Sequence, residues 1–260
     1  MELRKQKERA HANRLKALLE KASDQEAVAS NKKFYSITRG NQNHIKKWLL
    51  KRISNGKKFL DYCCGEGEIS IFLAKNGANA TGIDISDVSI KIAKENAITH
   101  KLKNKPTFLI MDGENLEFND NTFDVIICSG VLHHLNVDKA YPELARVLKH
   151  DGEIICNEPL AYNPIFQLYR KLTPDFRTQW EAEHILNKKS INLARRHFDG
   201  IEIRFYHLTT ILAVPFRNFF FFNSILSIFE AIDSVLLKLP LIKWLAWQVV
   251  FILHKPRGKK

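Results

Sequence analysis

The sequence predicts an α/β fold built on a mostly parallel sheet, and three observations lead to this fold class. Apolar strand candidates recur along the middle of the chain, helical segments separate them, and Asn-Gly or Asp-Gly pairs end helices before strands. Parallel strands need long crossover connections, and helices usually supply them. Right-handed crossovers then place these helices on the two faces of the sheet.

Five apolar segments are the strand candidates, at residues 58–63, 79–84, 107–111, 123–129 and 152–157. Helical periodicity connects them over residues 68–76, 86–101 and 138–149. Beyond Pro159 we expect helices at 164–172 and 190–198, a strand at 201–211 and a last strand in WLAWQVVFILHKP.

The chain divides into a basic N-terminal helical segment, residues 1–50, and an α/β domain, residues 51–260. Residues 1–30 contain few apolar anchors, which predicts a solvent-exposed helix, and a second helical stretch runs from Phe34 to Leu50. Residues 160–200 are expected to form a substrate-loop region. Residues 215–245 are an apolar helical insertion before the last strand, serving as a lid or as a membrane contact.

Charge and cysteine content restrict the class of protein. Lys and Arg outnumber Asp and Glu by 40 to 28, which favours an anionic partner such as nucleic acid, a phosphorylated substrate or a lipid surface. The cysteines at positions 63, 64, 128 and 156 form neither a disulfide framework nor a CxxC zinc motif, so a reducing, cytoplasmic location is expected. The charged N-terminus does not resemble a secretory leader, and no apolar run reaches the length of a transmembrane helix.

The segment FLDYCCGEGEIS, residues 59–70, leads from a strand through a glycine turn into a helix. Gly65 and Gly67 let the backbone approach a ligand, and the following helix points its N–H groups at that place. Ser70 stands where a dinucleotide motif would have its third glycine, so the turn alone is weak evidence for a nucleotide site.

Aspartates at the ends of successive strand candidates strengthen the case for a nucleotide ligand. Asp61 ends the first strand, Asp84 the second and Asp112 the third. A carboxylate after the second strand can accept both ribose hydroxyls, whereas Asp112 and the Gly113 backbone can face an adenine. Each aspartate alone is as readily a helix cap, but three beside a glycine turn predict a cofactor site.

Three segments together resemble the class I S-adenosylmethionine-dependent methyltransferases, in the type 11 (ubiquinone/menaquinone methyltransferase-like) group: FLDYCCGEGEISIFLAKNGANATGIDIS, MDGENLEFNDNTFDVIICSGVLHHL and ELARVLKHDGEIICNEPL. The resemblance covers roughly residues 55–160 and implies a doubly wound, seven-stranded, Rossmann-like sheet whose last strand is antiparallel. It implies S-adenosyl-L-methionine as the cofactor. The residues that it assigns to cofactor binding are Asp61, Cys63, Gly65, Gly67, Asp84, Ile85, Asp112, Gly113 and Ser129.

Cys63 departs from the family's first motif, which has glycine at this position. We expect it to end the strand in a β conformation, where a small side chain is tolerated. A metal-binding or redox role is disfavoured because no Cys or His partner lies nearby in sequence, and no metal is predicted.

Candidates for the acceptor side of the site come from four places in the sequence. The candidate catalytic residues are His133, His134, Glu158 and His184, and the candidate substrate residues are Arg177, Glu183, Tyr162 and Asn163. His133 and His134 belong to the LHHL segment common in the family, where a structural role is as plausible as a catalytic one. The stretch RTQWEAEH is a longer form of a loop, R-T-x-x-E-H, found in a bacterial subgroup, and we expect it to cover the substrate pocket.

The acceptor is expected to be a hydrophobic or lipid-linked small molecule. The fourth strand ends in SGVL instead of the Asn/Asp-Pro-Pro-Tyr/Phe motif of base methylation, so nucleic acid is disfavoured. Read as a helix, residues 217–238 have one polar stripe and an otherwise apolar surface, and basic residues follow, which favours an anionic membrane surface. A lid helix or a dimer contact remains the alternative for this segment, as does a polar acceptor or a non-catalytic cofactor-binding role for the chain.

Overall fold

The computed structural model describes residues 2–21, 32–102 and 104–257 of the chain. Three helices precede the sheet: α1 (Leu3–Lys21), α2 (Lys32–Tyr35) and α3 (Arg39–Leu50). The expected single helix from Phe34 to Leu50 is therefore interrupted, by a hydrogen-bonded turn in which Thr38 donates through its hydroxyl to the Tyr35 carbonyl at 2.8 Å.

The sheet has seven strands in the order β3-β2-β1-β4-β5-β7-β6. They are β1 (Lys58–Tyr62), β2 (Asn79–Asp84), β3 (Thr107–Ile110), β4 (Phe123–Ser129), β5 (Leu148–Pro159), β6 (Phe198–Tyr206) and β7 (Gln248–Pro256). β7 is antiparallel to both of its neighbours, and the first five strands are parallel. The doubly wound sheet implied by the family resemblance is confirmed.

Helices cover both faces of this sheet. They are α4 (Glu68–Lys75), α5 (Asp87–Thr99), α6 (Val137–Val147), α7 (Pro164–Leu172), α8 (Gln179–His184), α9 (Lys188–Leu193) and α10 (Phe222–Leu236). Side-chain caps begin several of them: Ser86 accepts from the Ser89 amide and Asn163 from the Ile165 and Phe166 amides.

Both faces of the sheet are buried, which explains why its strands are continuous apolar runs. Neighbouring residues of one strand point to opposite faces, so Leu60 and Ile126 belong to one buried cluster whereas Phe59 and Ile127 belong to another. Cys128 and Cys156 lie in the first of these clusters, and all four cysteines are free thiols.

Most predicted elements are found within a few residues of the predicted ends. The candidates at 79–84, 123–129 and 164–172 match β2, β4 and α7. The strand expected at 201–211 is wrong at its end, because His207 adopts a φ of +66° and a 3₁₀ helix follows at Thr210–Phe216. β5 extends beyond the predicted 152–157 because it pairs with β4 on one side and β7 on the other.

The expectation of a solvent-exposed N-terminal helix is wrong for the part of it that the structure describes. The Arg4 guanidinium donates to Glu114 at 2.5 Å and Lys5 to Asp112 at 2.6 Å, so α1 packs against the ends of the strands. Charged contacts replace the apolar anchors that the sequence lacks. Residues 22–30 of the predicted helix lie outside the described residues.

α10 is shorter than the predicted helix 217–238, and its polar stripe faces the protein. The Arg39 guanidinium of α3 donates to Glu230 at 2.8 and 2.5 Å and to Ser227 at 2.7 Å. Leu226 of the same helix is buried with other apolar side chains, and several apolar residues on the remaining circumference face outward. Among the described residues, no helix is long and apolar enough to cross a bilayer.

Candidate functional site

A cavity of about 560 Å³ lies at the carboxyl ends of the parallel strands. Its lining includes Cys63 after β1, Ile85 after β2, Asp112 after β3 and Ser129 at the end of β4. This is the place where the strand order of an open α/β sheet reverses, and such sheets bind ligands there. The volume is in the range of small-molecule sites.

The glycine turn after β1 forms one wall, and Cys63 within it adopts a φ of +57°. The expectation that Cys63 ends the strand in a β conformation is therefore wrong: the chain already turns at this residue to enter the loop. Burial raises the pKa of its thiol well above the ordinary value, which disfavours a thiolate role.

Gly65 also lines the cavity. Gly67 caps α4, and glycine is required there because φ is +80° and a Cβ would lie only 2.8 Å from the Phe108 ring.

Asp61 supports the turn from beneath and does not line the cavity. Its carboxylate accepts from the Ser70 amide at 2.9 Å and from the Ser70 hydroxyl at 2.7 Å, which ties β1 to α4. Burial raises the pKa of Asp61 to about 6, against the opposing effect of the Ser70 hydrogen bonds. Ser70, where the dinucleotide motif has glycine, therefore serves to anchor this aspartate.

Asp84 lies at the end of β2 and faces the cavity. One carboxylate oxygen accepts from the Gly65 amide at 3.0 Å and the other from the Ser86 amide at 2.8 Å. Each oxygen of an ionised carboxylate has a second lone pair, so both remain able to accept from ligand hydroxyls.

Asp112 and Gly113 line the cavity after β3. Asp112 accepts from the Glu114 amide at 2.9 Å through one oxygen and from Lys5 of α1 through the other. A side chain at Gly113 would meet Tyr62, because a Cβ there would lie 2.9 Å from the phenolic oxygen. Lys5 was not identified from the sequence, although a basic helix before an acidic site is a usable signal.

His133 and Glu158 form a buried pair where the cavity widens. His133 Nδ1 lies 2.7 Å from Glu158 Oε2, and the other oxygen of Glu158 accepts from the Val131 and Leu132 amides at 2.8 and 2.9 Å. An ionised carboxylate only accepts, so His133 Nδ1 donates to Glu158, and Nε2 on the other side of the ring lies 4.0 Å from Glu181 Oε1. His133 lines the cavity, whereas Glu158 lies behind it.

His134 is a second histidine of the lining and pairs with Glu8 of α1 at 3.0 Å. Burial acts to lower the pKa of His134, but its hydrogen bond with Glu8 and the neighbouring carboxylates outweigh this effect and raise it. The side-chain donor atoms of His133, His134 and Glu181 lie within 4.8 Å of one another, a spacing that a cation can bridge. Arg177 Nε lies 3.6 Å from Glu181 and already compensates that carboxylate.

The predicted substrate loop contributes only part of its candidates. Arg177 and Glu181 line the cavity, whereas Glu183 and His184 lie on the exposed side of α8, outside the lining. There His184 stacks on Trp180 and Glu183 accepts from Gln179. Both side chains are exposed and have partners on the outer side of α8, so neither lies where it could contact a ligand in this cavity.

Tyr162 and Asn163 are also outside the lining and have structural partners instead. Asn163 caps α7 and donates to the Leu245 carbonyl at 2.8 Å, and the Tyr162 hydroxyl accepts from the Lys188 amide at 3.1 Å. The far end of the cavity is apolar and aromatic, with residues that sequence reasoning did not select: Phe34, Tyr35, Phe166, Phe176, Ile185 and Trp247.

A seven-stranded sheet in this order, with a cavity of this composition at its strand ends, defines the class I methyltransferase fold. Residues 60–156 match the family described as a methyltransferase domain, of the type 11 group. The resemblance inferred from the sequence is confirmed over this stretch, which is similar to methyltransferase domains of that group.

Curated relatives give the same family. The chain is 31% identical over 151 residues to the demethylmenaquinone methyltransferase of Lactobacillus johnsonii, covering 54% of this chain and 62% of that protein. It is 38% identical over 100 residues to a ubiquinone/menaquinone biosynthesis C-methyltransferase of Zymomonas mobilis, covering 38% and 41% of the two chains. The chain therefore spans less than two thirds of the length of these relatives.

Solved structures support the fold alone. Phosphoethanolamine N-methyltransferase 2 of Haemonchus contortus, in complex with S-adenosyl-L-methionine, matches with a TM-score of 0.56 at 18% identity over 82% of this chain and 53% of that one. The cyclase SpnF matches with a TM-score of 0.56 at 21% identity, over 83% and 81%. Because a cyclase shares the fold, the chemistry must be argued from the site.

Proposed function

We propose that this chain transfers a methyl group from S-adenosylmethionine to a hydrophobic or lipid-linked small molecule. The observation that carries the proposal is one cavity with two ends: carboxylates and a glycine turn at one end, aromatic side chains at the other, and His133 between them. Quinone methyltransferases among the relatives support a hydrophobic ring as the acceptor.

The residues at the first end suit the cofactor. Asp84 retains lone pairs for the ribose hydroxyls, Ile85 offers an apolar surface beside an adenine, and Gly65 allows close backbone approach. When bound, S-adenosylmethionine supplies an electrophilic methyl group on a sulfonium sulfur. The protein must then exclude water, align the acceptor and remove its proton.

His133 is suited to remove that proton. Glu158 fixes the imidazole in the tautomer whose Nε2 faces the cavity, and it stabilises the imidazolium that forms. Glu158 is itself held by two backbone amides, so its orientation does not depend on the acceptor. We infer that His133 is the general base and Glu158 its positioning residue.

A membrane surface is the proposed source of the acceptor. α10 and its flanking turns expose a group of large apolar side chains, here called the apolar surface: Phe216, Phe219, Phe220, Ile228, Ile232, Val235, Leu239 and Leu241. Phe220 is 98% exposed, and an exposed cluster of this size in a monomer typically contacts a partner or a lipid.

Charge favours an anionic lipid over a protein partner. The acidic side chains of residues 207–247 are used internally, Glu230 by Arg39 and Asp233 by the amides of Leu208 and Thr209. Among the described residues, Arg217, Lys238 and Lys243 have no carboxylate within 4.0 Å. Cations beside exposed apolar side chains match anionic headgroups above a hydrocarbon layer.

Two experiments test the proposal. Membrane extracts incubated with isotopically labelled S-adenosylmethionine and the chain should contain a labelled hydrophobic product detected by mass spectrometry. A label found only in polar metabolites would favour a soluble acceptor, and no label with any extract would favour a non-catalytic role.

Flotation tests the lipid surface separately. The chain should float with vesicles containing roughly 30% phosphatidylglycerol and lose most of this binding in a Phe219→Ser, Phe220→Ser variant. Ile98→Ser, which removes a 69% exposed side chain elsewhere, is the matched control and should float like the wild type. Failure of the wild type to float would overturn the membrane assignment.

A further inference from the structure

Two arginines lie at the acceptor end of the cavity. Arg170, on α7, and Arg177, before α8, both line it together with Glu181. The Arg177 side chain is 7% exposed, so its charge is largely removed from solvent.

These two guanidinium groups are balanced by only one nearby carboxylate among the described residues. Arg177 donates to the Thr173 carbonyl at 2.9 Å, and its Nε lies 3.6 Å from Glu181. Arg170 donates to the Leu160 carbonyl, a neutral acceptor, at 3.3 and 3.2 Å. In the part of the chain that the structure describes, no carboxylate oxygen lies within 4.0 Å of the Arg170 guanidinium.

Arg170 therefore carries a charge that its described surroundings do not compensate. Burial and, to a smaller extent, the charge of Arg177 lower the pKa of Arg170 to about 10, and Glu181 opposes them only partly. Arg170 is half-buried, and a partly desolvated cation without a counter-ion is unfavourable, so an anionic group brought by a ligand would reduce this penalty. The planar guanidinium fork matches the oxygens of carboxylate and phosphate groups.

The surroundings of the pair describe the rest of the ligand. Phe166, one helical turn before Arg170, and Phe176 line the same part of the cavity. The outward side of α7 exposes Ile165, Leu168 and Leu172. A ligand that reaches Arg170 thus meets aromatic side chains beside the two guanidinium groups and Glu181.

We propose that Arg170 and Arg177 form a subsite for an anionic oxygen group, a carboxylate or a phosphate, on an amphiphilic acceptor. This inference rests on the proposed function, which it deepens by adding a charged group to the hydrophobic acceptor. Arg170 supplies the uncompensated charge. Arg177 interacts with Glu181 and would also interact with the anionic group of the ligand.

Matched amphiphiles test this subsite without knowledge of the acceptor. Octanoate, octyl phosphate and octanol are titrated into the full chain by calorimetry in the presence of S-adenosylhomocysteine. We expect both anions to bind at least tenfold more tightly than octanol, with the ranking of the two anions identifying the group. Equal binding of all three would overturn the inference.

Variants locate the effect. Arg170→Gln should remove the preference for the anions, Arg170→Lys should retain part of it, and Arg195→Gln, at an exposed position outside the cavity, should retain all of it. If Arg170→Gln does not fold, the binding of the three amphiphiles to the wild type still tests whether the cavity prefers an anionic group. S-adenosylhomocysteine titrated alone keeps the two proposals apart: cofactor binding without anion preference refutes only the subsite, whereas absent cofactor binding refutes the proposed function.

Discussion

Cys63 combines an unusual backbone conformation with burial in the wall of the cavity. A φ of +57° places it in the left-handed region, which costs a non-glycine residue about 1 kcal/mol, and a β-branched residue more. We expect the free energy of unfolding of Cys63→Gly to lie within about 1 kcal/mol of the wild type, because relief of strain offsets the lost packing.

Cys63→Val should instead destabilise the chain by about 2 kcal/mol in urea titrations, since its volume is tolerable but its branching is not. Equal stability of the glycine and valine variants would contradict the left-handed conformation of this residue.

His133 is the residue whose replacement should separate chemistry from binding. With an acceptor identified, His133→Asn should lower kcat by about 10²- to 10⁴-fold and leave cofactor affinity within about twofold. Glu158→Gln should also lower kcat, because the amide side chain of glutamine can donate as well as accept and no longer fixes the tautomer of His133.

The matched control is His184→Asn, a histidine that lies outside the cavity. It should keep the wild-type kcat. A His184 variant as impaired as the His133 variant would show that the base has been misassigned.

At this scale the sequence identified the strand-end residues better than the loop residues. Asp84, Asp112 and His133 follow strands whose ends must meet, so their position was predictable. In RTQWEAEH, no pattern indicates which face of a six-residue helix points inward. Arg177 precedes this helix in an extended conformation, and its contact with Glu181 forms only in the fold, whereas Glu183 and His184 are exposed.

α1 covers the cofactor end of the cavity through charged contacts. Lys5 bonds to Asp112 at 2.6 Å and lies 3.0 Å from Glu114, and Arg9 bonds to Asp87 at 2.7 Å. Burial acts to lower the pKa of Lys5, but these carboxylates outweigh it and raise it, so the contact is charged at neutral pH. Arg4, Lys5 and Glu8 of α1 line the cavity, so we expect these contacts to slow the release of a bound ligand.

Removing one of these contacts should speed ligand release. Lys5→Met should increase the dissociation rate of S-adenosylhomocysteine by about fivefold in stopped-flow measurements, corresponding to about 1 kcal/mol of lost attachment. Lys7→Met, at an exposed position of the same helix, should leave the rate unchanged. An unchanged rate in the Lys5 variant would show that α1 does not gate the cavity.

α1 and α10 show why helical patterns alone misplace elements. Hydrophobicity identifies the side of a helix that water avoids, and it predicted an exposed α1 and, at 217–238, a helix with one polar stripe and an otherwise apolar surface. α1 docks through charged side chains onto Asp112 and Glu114, and α10 adds polar contacts with Arg39 to the apolar packing of Leu226; all these partners are distant in sequence.

At the scale of the whole molecule, protonation of the buried His207 should contribute to the loss of folding stability as pH falls. Burial lowers the pKa of His207 to about 4, and Asp233 opposes this shift only partly. The ring lies 3.0 Å from Asn41 and 3.3 Å from Thr210, so it joins α3, β6 and the following turn. The unfolded chain binds a proton near pH 6.5 that the folded chain does not, so this contribution is complete above about pH 6.5 and is lost as pH falls toward 4.

Asp61 acts in the opposite direction, because its raised pKa of about 6 makes stability fall as pH rises from about 4 to 6. The contribution of His207 is therefore measured as the difference in unfolding free energy between the wild type and a His207 variant at each pH. His207→Asn, which tolerates the positive φ, should lose about 2–3 kcal/mol less than the wild type between pH 7 and 4 in urea unfolding. His150→Asn is the exposed control, and parallel pH profiles for all three chains would contradict a neutral buried His207.

The order of elements across the whole molecule was predictable because alternating strands and helices leave few alternatives. The cavity's acceptor end was not, since Phe34, Phe166 and Trp247 come from three distant segments that meet only in the fold. The central claim concerns the other end, where the strand-end carboxylates would hold the cofactor.

Calorimetric titration of the full chain with S-adenosylmethionine tests that claim most directly. We predict one binding site per chain with a Kd on the order of 10 µM, weakened by about 1–3 kcal/mol in Asp84→Ala and unchanged in Asp151→Ala, an exposed control. No heat of binding at about 1 mM cofactor, or equal affinity of the Asp84 variant and the wild type, would contradict the cofactor site described for this protein.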